Sequence, residues 1–463
     1  MNPMLKTRRN RVVLGPVLLV WLAGLCGAGV VDRAEPDVRR DAVVAAVERV
    51  LPSVVNIGTE TIVRVRDPFE EFFREFWSPY HRSLPPQSRY SLGSGVIIDE
   101  AGYVLTNGHV VRRADKIWVQ LSTKPDVYEA ELVALDERTD LALLRLKTKP
   151  GERFTAIKFA ADDDLLLGET VLALGNPFGL GGSVSRGILS SKARQVPVED
   201  APFETQNWLQ IDAPINPGNS GGPLVNLNGE LIGLNTAILR EAQGIGFAIP
   251  VKRINEALSE MLIPENSRAR LWFGARIYAG AGPRRVIYVQ PESPAAKAGL
   301  EVGDVILEVD GKRPRSYIEL AELLSAGDKT QLRFKVERNN GEVKTLTVRL
   351  VPEREFFNAS LIQKKIGVSL QELTPELAEA LGLTDAEGFI VSGVERGTPA
   401  ARVLEPGVRV ISIDGRRPAD LIEAAKMIYR KQSGDTVRLG VVVQERRGNF
   451  VLSRTGTVEV PVR

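Results

Sequence analysis

The sequence contains few of the residues that most often bind metals or form disulfides. Its 463 residues include one cysteine and two histidines. A zinc site of the Cys/His type needs about three or four such ligands, so this chemistry is excluded, and we expect no metal or other cofactor. The single Cys26 lies in the N-terminal apolar run and cannot form a disulfide within the chain. If the protein has a nucleophile, we therefore expect it to be a hydroxyl.

A surplus of charge of either sign is also absent. The chain has 60 basic and 58 acidic residues, and its formal net charge is +2. Such a small charge does not attract nucleic acid, so this class of partner is excluded. Hydrophobic residues make up 43% and charged residues 25%, which is typical of globular proteins. At about 150 residues per domain, the length predicts about three domains.

The N-terminus has the layout of an export segment. Basic residues between Lys6 and Arg11 precede the uncharged run 12–31. This pattern is typical of a secretory signal peptide, but the run is also long enough to span a bilayer once. Residues 1–31 are thus either a signal peptide or a single-pass membrane anchor. In both cases the bulk of the chain crosses the membrane.

The spacing of apolar residues divides the rest of the chain. Between residues 54 and 249, short apolar runs alternate with Gly, Asn, Asp and Pro. This pattern predicts an all-β barrel or sandwich, and its length suits two similar halves. The period then changes, because Ile254, Leu258 and Leu262 recur every four residues and Pro264 follows. We therefore predict a helix that closes the first domain.

An internal repeat follows this helix. Segment 293–297 (SPAAK) recurs as 398–402 (TPAAR), and segment 309–314 (VDGKRP) recurs as 413–418 (IDGRRP). The period is too long for a solenoid, so the repeat predicts two copies of one separate module of about 90 residues.

The sharpest local pattern surrounds Ser220, in the segment 216–224 (NPGNSGGPL). A serine that lies between glycines at a turn before an apolar strand exposes its hydroxyl. The glycines also let backbone N–H groups converge on one point, as the oxyanion of a tetrahedral intermediate requires. An ordinary glycine-rich hairpin is the alternative interpretation.

A serine nucleophile needs a base and a group that orients the base. His109 ends an apolar run, whereas His81 lies in a proline-rich segment where we expect a solvated loop. Asp140 immediately precedes the apolar run 141–146. A carboxylate there is costly to bury unless it is hydrogen-bonded, and a histidine N–H is a suitable partner. Asp140 could instead cap a turn.

The chain order His109, Asp140, Ser220 is that of chymotrypsin-like proteases. The chain resembles the HtrA/DegP (Do-like) family of chymotrypsin-fold serine proteases with C-terminal PDZ domains. Besides these three residues, the resemblance rests on the segments 93–98, 105–111, 175–180, 211–224 and 244–250. The resemblance implies a mainly β fold, in which a chymotrypsin-like double β-barrel precedes two PDZ domains, β-sandwiches with helices. The predicted domains are the protease domain over 42–263 and PDZ domains over 266–352 and 362–462.

The resemblance also implies a role for each site residue. Ser220 would be the nucleophile, His109 the general base and then acid, and Asp140 the group that orients the imidazole. The resemblance implies an oxyanion hole made by the backbone N–H groups of Gly218, Asn219 and Ser220. It implies a specificity pocket at Ile215, Ile238 and Leu239. Pro214 stands where trypsin-like enzymes carry the aspartate that selects basic side chains, so we expect cleavage after small aliphatic residues.

Two further features concern partners. A PDZ domain captures the C-terminal carboxylate of a peptide with the backbone of an apolar-Gly-apolar loop, and the peptide adds a strand to the sheet. The candidate loops are Phe273-Gly274-Ala275 and Ile366-Gly367-Val368, although each could be an ordinary strand start. The aromatic segment 68–77 could be a helix on its own core. In the family it belongs to a loop that reaches a neighbouring subunit, which implies a homotrimer or higher oligomer.

The resemblance therefore implies an ATP-independent serine endopeptidase that degrades unfolded or misfolded proteins in the periplasm, regulated by peptide binding to its PDZ domains. One alternative is a chaperone or peptide-binding scaffold on a protease fold. Another is a membrane-anchored regulatory protease that cuts one signalling protein.

Overall fold

The structure is a computed structural model that describes residues 37, 39–61, 89–176, 182–195, 207–216, 218–238, 244–262, 271–325, 329–383, 386–447 and 450–463. The chain divides into two units, Met1–Asp41 and Ala42–Arg463, and the elements below belong to the second. In the described ranges no helix is long and apolar enough to cross a membrane. The predicted export segment 1–31 lies outside these ranges.

Six antiparallel strands form a closed barrel in the order β1-β2-β3-β6-β5-β4. They are β1 (Val54–Thr61), β2 (Arg89–Asp99), β3 (Tyr103–Asn107), β4 (Lys116–Leu121), β5 (Val127–Asp136) and β6 (Leu141–Leu146). The barrel is preceded by the helix Ala42–Val50 and the 3₁₀ turn Leu51–Ser53, and the short helix Gly108–Val111 follows β3.

A second sheet runs in the order β11-β8-β9-β10-β13-β12-β7, and a further pairing of β11 with β12 closes six of its strands into a ring. Its strands are β7 (Lys158–Phe159), β8 (Thr170–Gly175), β9 (Ser183–Arg194), β10 (Trp208–Ile211), β11 (Pro223–Val225), β12 (Glu230–Ile238) and β13 (Gly246–Pro250). The helix Val251–Met261 follows β13, as the change of period predicts. The predicted double barrel is confirmed.

The two barrels share a core because β6 is buried on both faces. Successive side chains of a strand point to opposite sides. Ala142 and Leu144 pack inside the first barrel, whereas Leu141 and Leu143 pack in a cluster that includes Leu172 of the second barrel. Each buried leucine contributes roughly 1.5–3 kcal/mol. The strand ends that border the cleft between the barrels are therefore firmly held.

The first repeat module is built from short antiparallel strands and two helices. Its strands are β14 (Leu271–Trp272), β15 (Ala275–Ile277), β16 (Val286–Val289), β17 (Val305–Val309), β18 (Gln331–Glu337), β19 (Val343–Arg349) and β20 (Val351–Pro352). Its helices are Pro294–Lys297 and Tyr317–Ser325.

The second module has one antiparallel sheet in the order β21-β22-β23-β24-β25. Its strands are β21 (Val368–Glu372), β22 (Phe389–Val394), β23 (Arg409–Ile413), β24 (Thr436–Arg447) and β25 (Phe450–Pro461). The accompanying helices are Glu353–Phe356, Ala359–Ile366, Pro375–Ala380 and Leu421–Tyr429, with the 3₁₀ turn Pro399–Arg402.

The repeat is visible in matching turns of the two modules. Asp310 and Asp414 both have a left-handed backbone, with φ of 50° and 48°. The Asp310 carboxylate accepts a hydrogen bond from the Arg333 N–H at 2.9 Å, and the Asp414 carboxylate accepts one from the Arg438 N–H at 2.9 Å. The same side chain therefore performs the same structural task in both copies.

Replacing Asp310 with Asn should flatten the acid dependence of stability. Burial by itself raises the pKa of Asp310, but the Arg333 N–H and the Lys329 ammonium hold that pKa below its usual value. A carboxyl with a lowered folded-state pKa stabilises the fold above its ordinary pKa, and this contribution disappears as the pH falls through the folded-state value.

Thermal unfolding of the parent and of Asp310→Asn between about pH 5 and pH 2 measures this difference. Over that interval the free energy of unfolding should fall by about 1 kcal/mol more for the parent than for the variant. Identical pH slopes for the two proteins would contradict the assignment.

Candidate active site

Strand pairing brings His109 and Asp140 to the same end of the first barrel. In the antiparallel pair β3–β6, Asn107 lies opposite Leu141. His109 follows β3 in the helix Gly108–Val111, and Asp140 immediately precedes β6. Asp140 has a φ of 56°, a left-handed conformation that non-glycine residues rarely adopt. The local backbone thus turns the carboxylate towards the start of the helix.

Asp140 holds both the backbone and the ring of His109. Its Oδ1 accepts the His109 backbone N–H at 2.8 Å, and its Oδ2 lies 2.7 Å from His109 Nδ1. The Asp140 carbonyl accepts the Gly108 N–H at 2.9 Å. The Asp140 side chain is 1% exposed and that of His109 is 12% exposed. Because a carboxylate only accepts hydrogen bonds, Nδ1 carries the hydrogen and Nε2 of the neutral ring is the basic nitrogen.

Thr236, on β12 of the second barrel, connects this pair to Ser220. Its side-chain hydroxyl donates to Asp140 Oδ2 at 3.5 Å, and its backbone carbonyl accepts the Ser220 hydroxyl at 3.3 Å. Thr236 is fully buried and Ser220 is 6% exposed. Asp140 and Ser220 therefore both contact Thr236, and His109 is joined to this group through Asp140. Sequence reasoning missed this threonine, because a β-branched residue in an apolar strand carries no local mark of function.

Glycines let the turn that carries Ser220 approach the first barrel closely. Gly218 and Gly221 have φ values of 97° and 80°. A Cβ on Gly221 would lie 2.3 Å from both the Ser94 carbonyl oxygen and Thr106 Oγ1. A side chain at this position would push the turn away from β2 and β3.

Hydrogen bonds within the turn narrow the choice of oxyanion donors. The Asn219 N–H donates to the Asn216 carbonyl at 3.0 Å, so this amide is used to close the turn. The structure therefore does not support the expected role of Asn219. The Asn219 carbonyl accepts the Gly222 N–H at 2.9 Å. In a trans peptide the N–H points opposite to the C=O, so the Ser220 N–H points away from Gly222.

Two of the three predicted pocket residues lie beside Gly246. A Cβ on Gly246 would be 2.8 Å from Ile215 Cγ1, and Ile215 is buried. Ile238 is paired with Gly246 across β12 and β13. Leu239 lies outside the described residues.

The first apolar-Gly-apolar loop joins β14 to β15. Gly274 has a φ of 77°, and a Cβ there would lie 2.2 Å from Ser293 Cβ. Phe273 is buried and stacks on Phe334, with ring centroids 5.4 Å apart. Ala275 begins β15. The glycine is needed where the loop packs against the cap of the helix Pro294–Lys297.

The second loop has the same geometry. Gly367 has a φ of 74°, and a Cβ there would lie 2.8 Å from Thr398 Oγ1, the repeat counterpart of the serine in the first module. Ile366 is the last residue of the helix Ala359–Ile366, and Gly367 caps that helix. The strand begins at Val368.

Three other features noted in the sequence lie outside the described residues. They are Cys26, His81 and the aromatic segment 68–77.

Family models match three parts of the chain. A trypsin-like peptidase domain matches residues 93–234, and PDZ domains match residues 285–338 and 357–442. These matches assign the double barrel and the two repeat modules to known domain types.

Relatives match most of the chain. A probable periplasmic serine endoprotease, DegP-like, of Chlamydia trachomatis is 36% identical in an alignment 396 residues long, and the match covers 80% of this chain and 77% of the relative. A protein of the same description from Marinomonas is 34% identical over 86% of this chain and 90% of its own length. A solved serine endoprotease from Yersinia pestis is 34% identical, with 66% of this chain and 96% of that chain covered and a TM-score of 0.36.

Proposed function

Because the chain belongs to the family of DegP-like serine endoproteases, it is a serine endopeptidase, and we propose that Ser220, His109 and Asp140 perform its peptide hydrolysis. The observation that carries this assignment is the pair of contacts between Asp140 and His109, together with Thr236, which contacts both the Asp140 carboxylate and the Ser220 hydroxyl. The histidine is fixed at both its backbone and its ring, so Nε2 is presented in one orientation.

In the proposed mechanism His109 Nε2 removes the proton of the Ser220 hydroxyl while Ser220 Oγ attacks the peptide carbonyl carbon. Asp140 stabilises the imidazolium that results. His109 then returns the proton to the leaving amine, whose C–N bond breaks and leaves an acyl ester on Ser220. Water, deprotonated by His109, hydrolyses the ester.

The oxyanion of the tetrahedral intermediate would be stabilised by the N–H groups of Gly218 and Ser220. This proposal is supported by the direction of the Asn219 carbonyl and by the glycine conformation at Gly218. Each donor of this kind typically contributes about 2.7–4 kcal/mol to the stability of the transition state.

We propose that the substrates are unfolded or misfolded proteins, cleaved after small aliphatic residues such as Val and Ala. The support is the apolar surroundings of Ile215 beside Gly246 and the proline at position 214. Small aliphatic side chains are normally buried, so a folded protein would not present them. Mass spectrometry of fragments of unfolded casein tests the proposal, since most new C-termini should be Val or Ala.

The proposed compartment is the periplasm, because the relatives are described as periplasmic. We propose that residues 1–31 direct the chain across the inner membrane, whether they are then removed or retained as an anchor. Assembly into a homotrimer or larger oligomer is proposed from the family resemblance.

Contacts between the first PDZ module and the protease barrels support regulation by peptide binding. Arg276, on the strand that follows the Gly274 loop, bonds through Nη1 to Glu260 Oε1 at 2.9 Å in the helix Val251–Met261. The Tyr103 hydroxyl of β3 donates to Glu322 Oε1 at 2.9 Å, and burial raises the pKa of Tyr103 well above its usual value, so the phenol stays a donor. A peptide that added to β15 would therefore act beside a contact with the protease domain.

A peptide with an apolar C-terminus is expected to raise the rate of casein cleavage several-fold, because its strand competes with the contacts that tie β15 to Glu260. The same peptide with an amidated C-terminus is the matched control. It lacks the carboxylate that the loop captures, so the rate should stay at its basal value. Equal effects of the two peptides, or no effect of either, would contradict regulation through the carboxylate loop.

A further inference from the structure

Ser94, in the middle of β2, contacts the turn on both sides of Ser220. Its backbone N–H donates to the Ser220 carbonyl at 2.9 Å. Its side-chain hydroxyl donates to the Gly218 carbonyl. Ser94 has no exposed surface. One residue of the first barrel thus holds two carbonyls of the turn that the second barrel supplies.

The Ser94 hydroxyl is itself held by a chain of buried amides. It accepts the Asn176 N–H at 2.8 Å, and the Asn176 carbonyl accepts Asn56 Nδ2 at 2.7 Å. Asn56 lies directly opposite Ser94 in the pair β1–β2. Asn56 is 7% exposed and Asn176 is 1% exposed. Because the hydroxyl accepts from Asn176, its single hydrogen is directed to Gly218.

The peptide group between Gly218 and Asn219 is therefore fixed at both ends. Its carbonyl faces Ser94, and its N–H faces the Asn216 carbonyl. Gly218 has no Cβ and adopts a φ of 97°, so the backbone itself opposes a rotation of this peptide only weakly. The hydroxyl of Ser94 supplies the restraint that glycine lacks. Loss of this restraint would let the turn sample arrangements in which the Gly218 and Ser220 N–H groups no longer converge.

We propose that Ser94 is a positioning residue for peptide hydrolysis: through the Gly218 and Ser220 carbonyls it holds the oxyanion turn in its reactive arrangement. This inference rests on the function proposed above for Ser220. It assigns Ser94 no contact with the substrate. Its effect should therefore appear in the chemical step rather than in substrate binding.

Ser94→Ala tests the proposal in the full-length protein. It should lower kcat for casein or a short peptide substrate by about 10- to 100-fold, since misdirected oxyanion donors forfeit transition-state stabilisation. KM should stay within about twofold. A fluorophosphonate gives a second readout, because Ser220 Oγ displaces fluoride from phosphorus. The final extent of labelling measures the fraction of protein with a folded active site. The rate of labelling measures how well the oxyanion turn supports the reaction. The variant should reach full labelling at a rate reduced in parallel with kcat.

Ser259→Ala is the matched control. Ser259 is also buried, lies in the helix Val251–Met261, and its hydroxyl donates to the Asn255 carbonyl at 2.7 Å. This change should lower the thermal stability by about the value of one hydrogen bond, roughly 1 kcal/mol, and leave kcat per labelled site near that of the parent. A purely structural role of Ser94 would give the two variants the same kcat per labelled site.

If Ser94→Ala does not fold, Asn56→Ala tests the proposal instead. It removes the hydrogen bond from Asn56 to the Asn176 carbonyl and should lower the labelling rate to a smaller extent. Labelling of both variants at the parental rate would overturn the proposal and leave the function of Ser220 intact. A parent enzyme that shows no labelling of Ser220 would overturn both.

Discussion

Ser220→Ala is expected to abolish casein cleavage, with a loss in kcat of at least about 10⁴-fold. The methyl group cannot attack a carbonyl, and the remaining backbone donors catalyse only weakly. The hydroxyl donates a weak hydrogen bond to the Thr236 carbonyl, at 3.3 Å. The folded state should therefore tolerate the change, and the variant should unfold at a temperature close to that of the parent.

Ser191→Ala is the control for loss of a serine hydroxyl in the same barrel. Ser191 lies on β9, and its hydroxyl donates to the nearby Ala193 carbonyl at 3.2 Å. Its cleavage rate should equal that of the parent. Cleavage by Ser220→Ala at a rate comparable to the parent, over a range of temperatures, would contradict the assignment of the nucleophile.

Asp140→Asn should lower kcat by about 10⁴-fold, because an amide in place of the carboxylate favours the wrong tautomer of His109 and no longer stabilises the imidazolium. The carboxylate is buried and accepts from the His109 N–H, from Nδ1 and from the Thr236 hydroxyl. An amide retains one acceptor oxygen, so it can satisfy only part of this set. The variant should still bind unfolded casein.

Asp136→Asn is the control, because it removes a different carboxylate of the same barrel. Asp136 lies at the end of β5, and its carboxylate accepts the Arg138 N–H at 3.0 Å and the Thr139 hydroxyl at 2.8 Å. It supports the turn before Asp140 without touching His109, so kcat should change by less than about twofold. Equal activities of Asp140→Asn and Asp136→Asn would show that the carboxylate beside His109 has no special role.

The sequence was most informative where a polar residue lies next to an apolar strand. The position of Asp140 before a buried strand predicted that the acid needs a hydrogen-bonded partner, and in the structure the carboxylate bonds to His109. The repeat was equally informative, because the matching residues Asp310 and Asp414 adopt the same left-handed backbone conformation in each module.

Contacts between segments that are distant in the sequence could not be predicted in this way. Ser94 and Asn176 are 82 positions apart, and the bond between them depends on how the two barrels dock. Thr236 resembles any other β-branched residue of a buried strand. The Asn219 N–H was expected to be an oxyanion donor, but whether an amide in a glycine-rich turn points outward depends on dihedral angles that the residue types leave open.

The sequence of the second module also carries local signals for the start and end of a helix. Asn358 accepts the Leu361 N–H and begins the helix Ala359–Ile366, and Gly367 ends it in the left-handed conformation. Asparagine before a helix and glycine after it are common start and stop signals. The apolar-Gly-apolar pattern predicts the loop alone and gives no indication of the helix before it.

The most direct test of the account is to locate a fluorophosphonate adduct by mass spectrometry in the native parent protein, in the urea-unfolded protein and in Asp140→Asn. A single modified residue, Ser220, is expected in the native parent, with no modification after unfolding and strongly slowed modification in Asp140→Asn. Modification of Ser220 at the same rate in all three samples, or casein cleavage by a protein whose Ser220 stays unmodified, would contradict it.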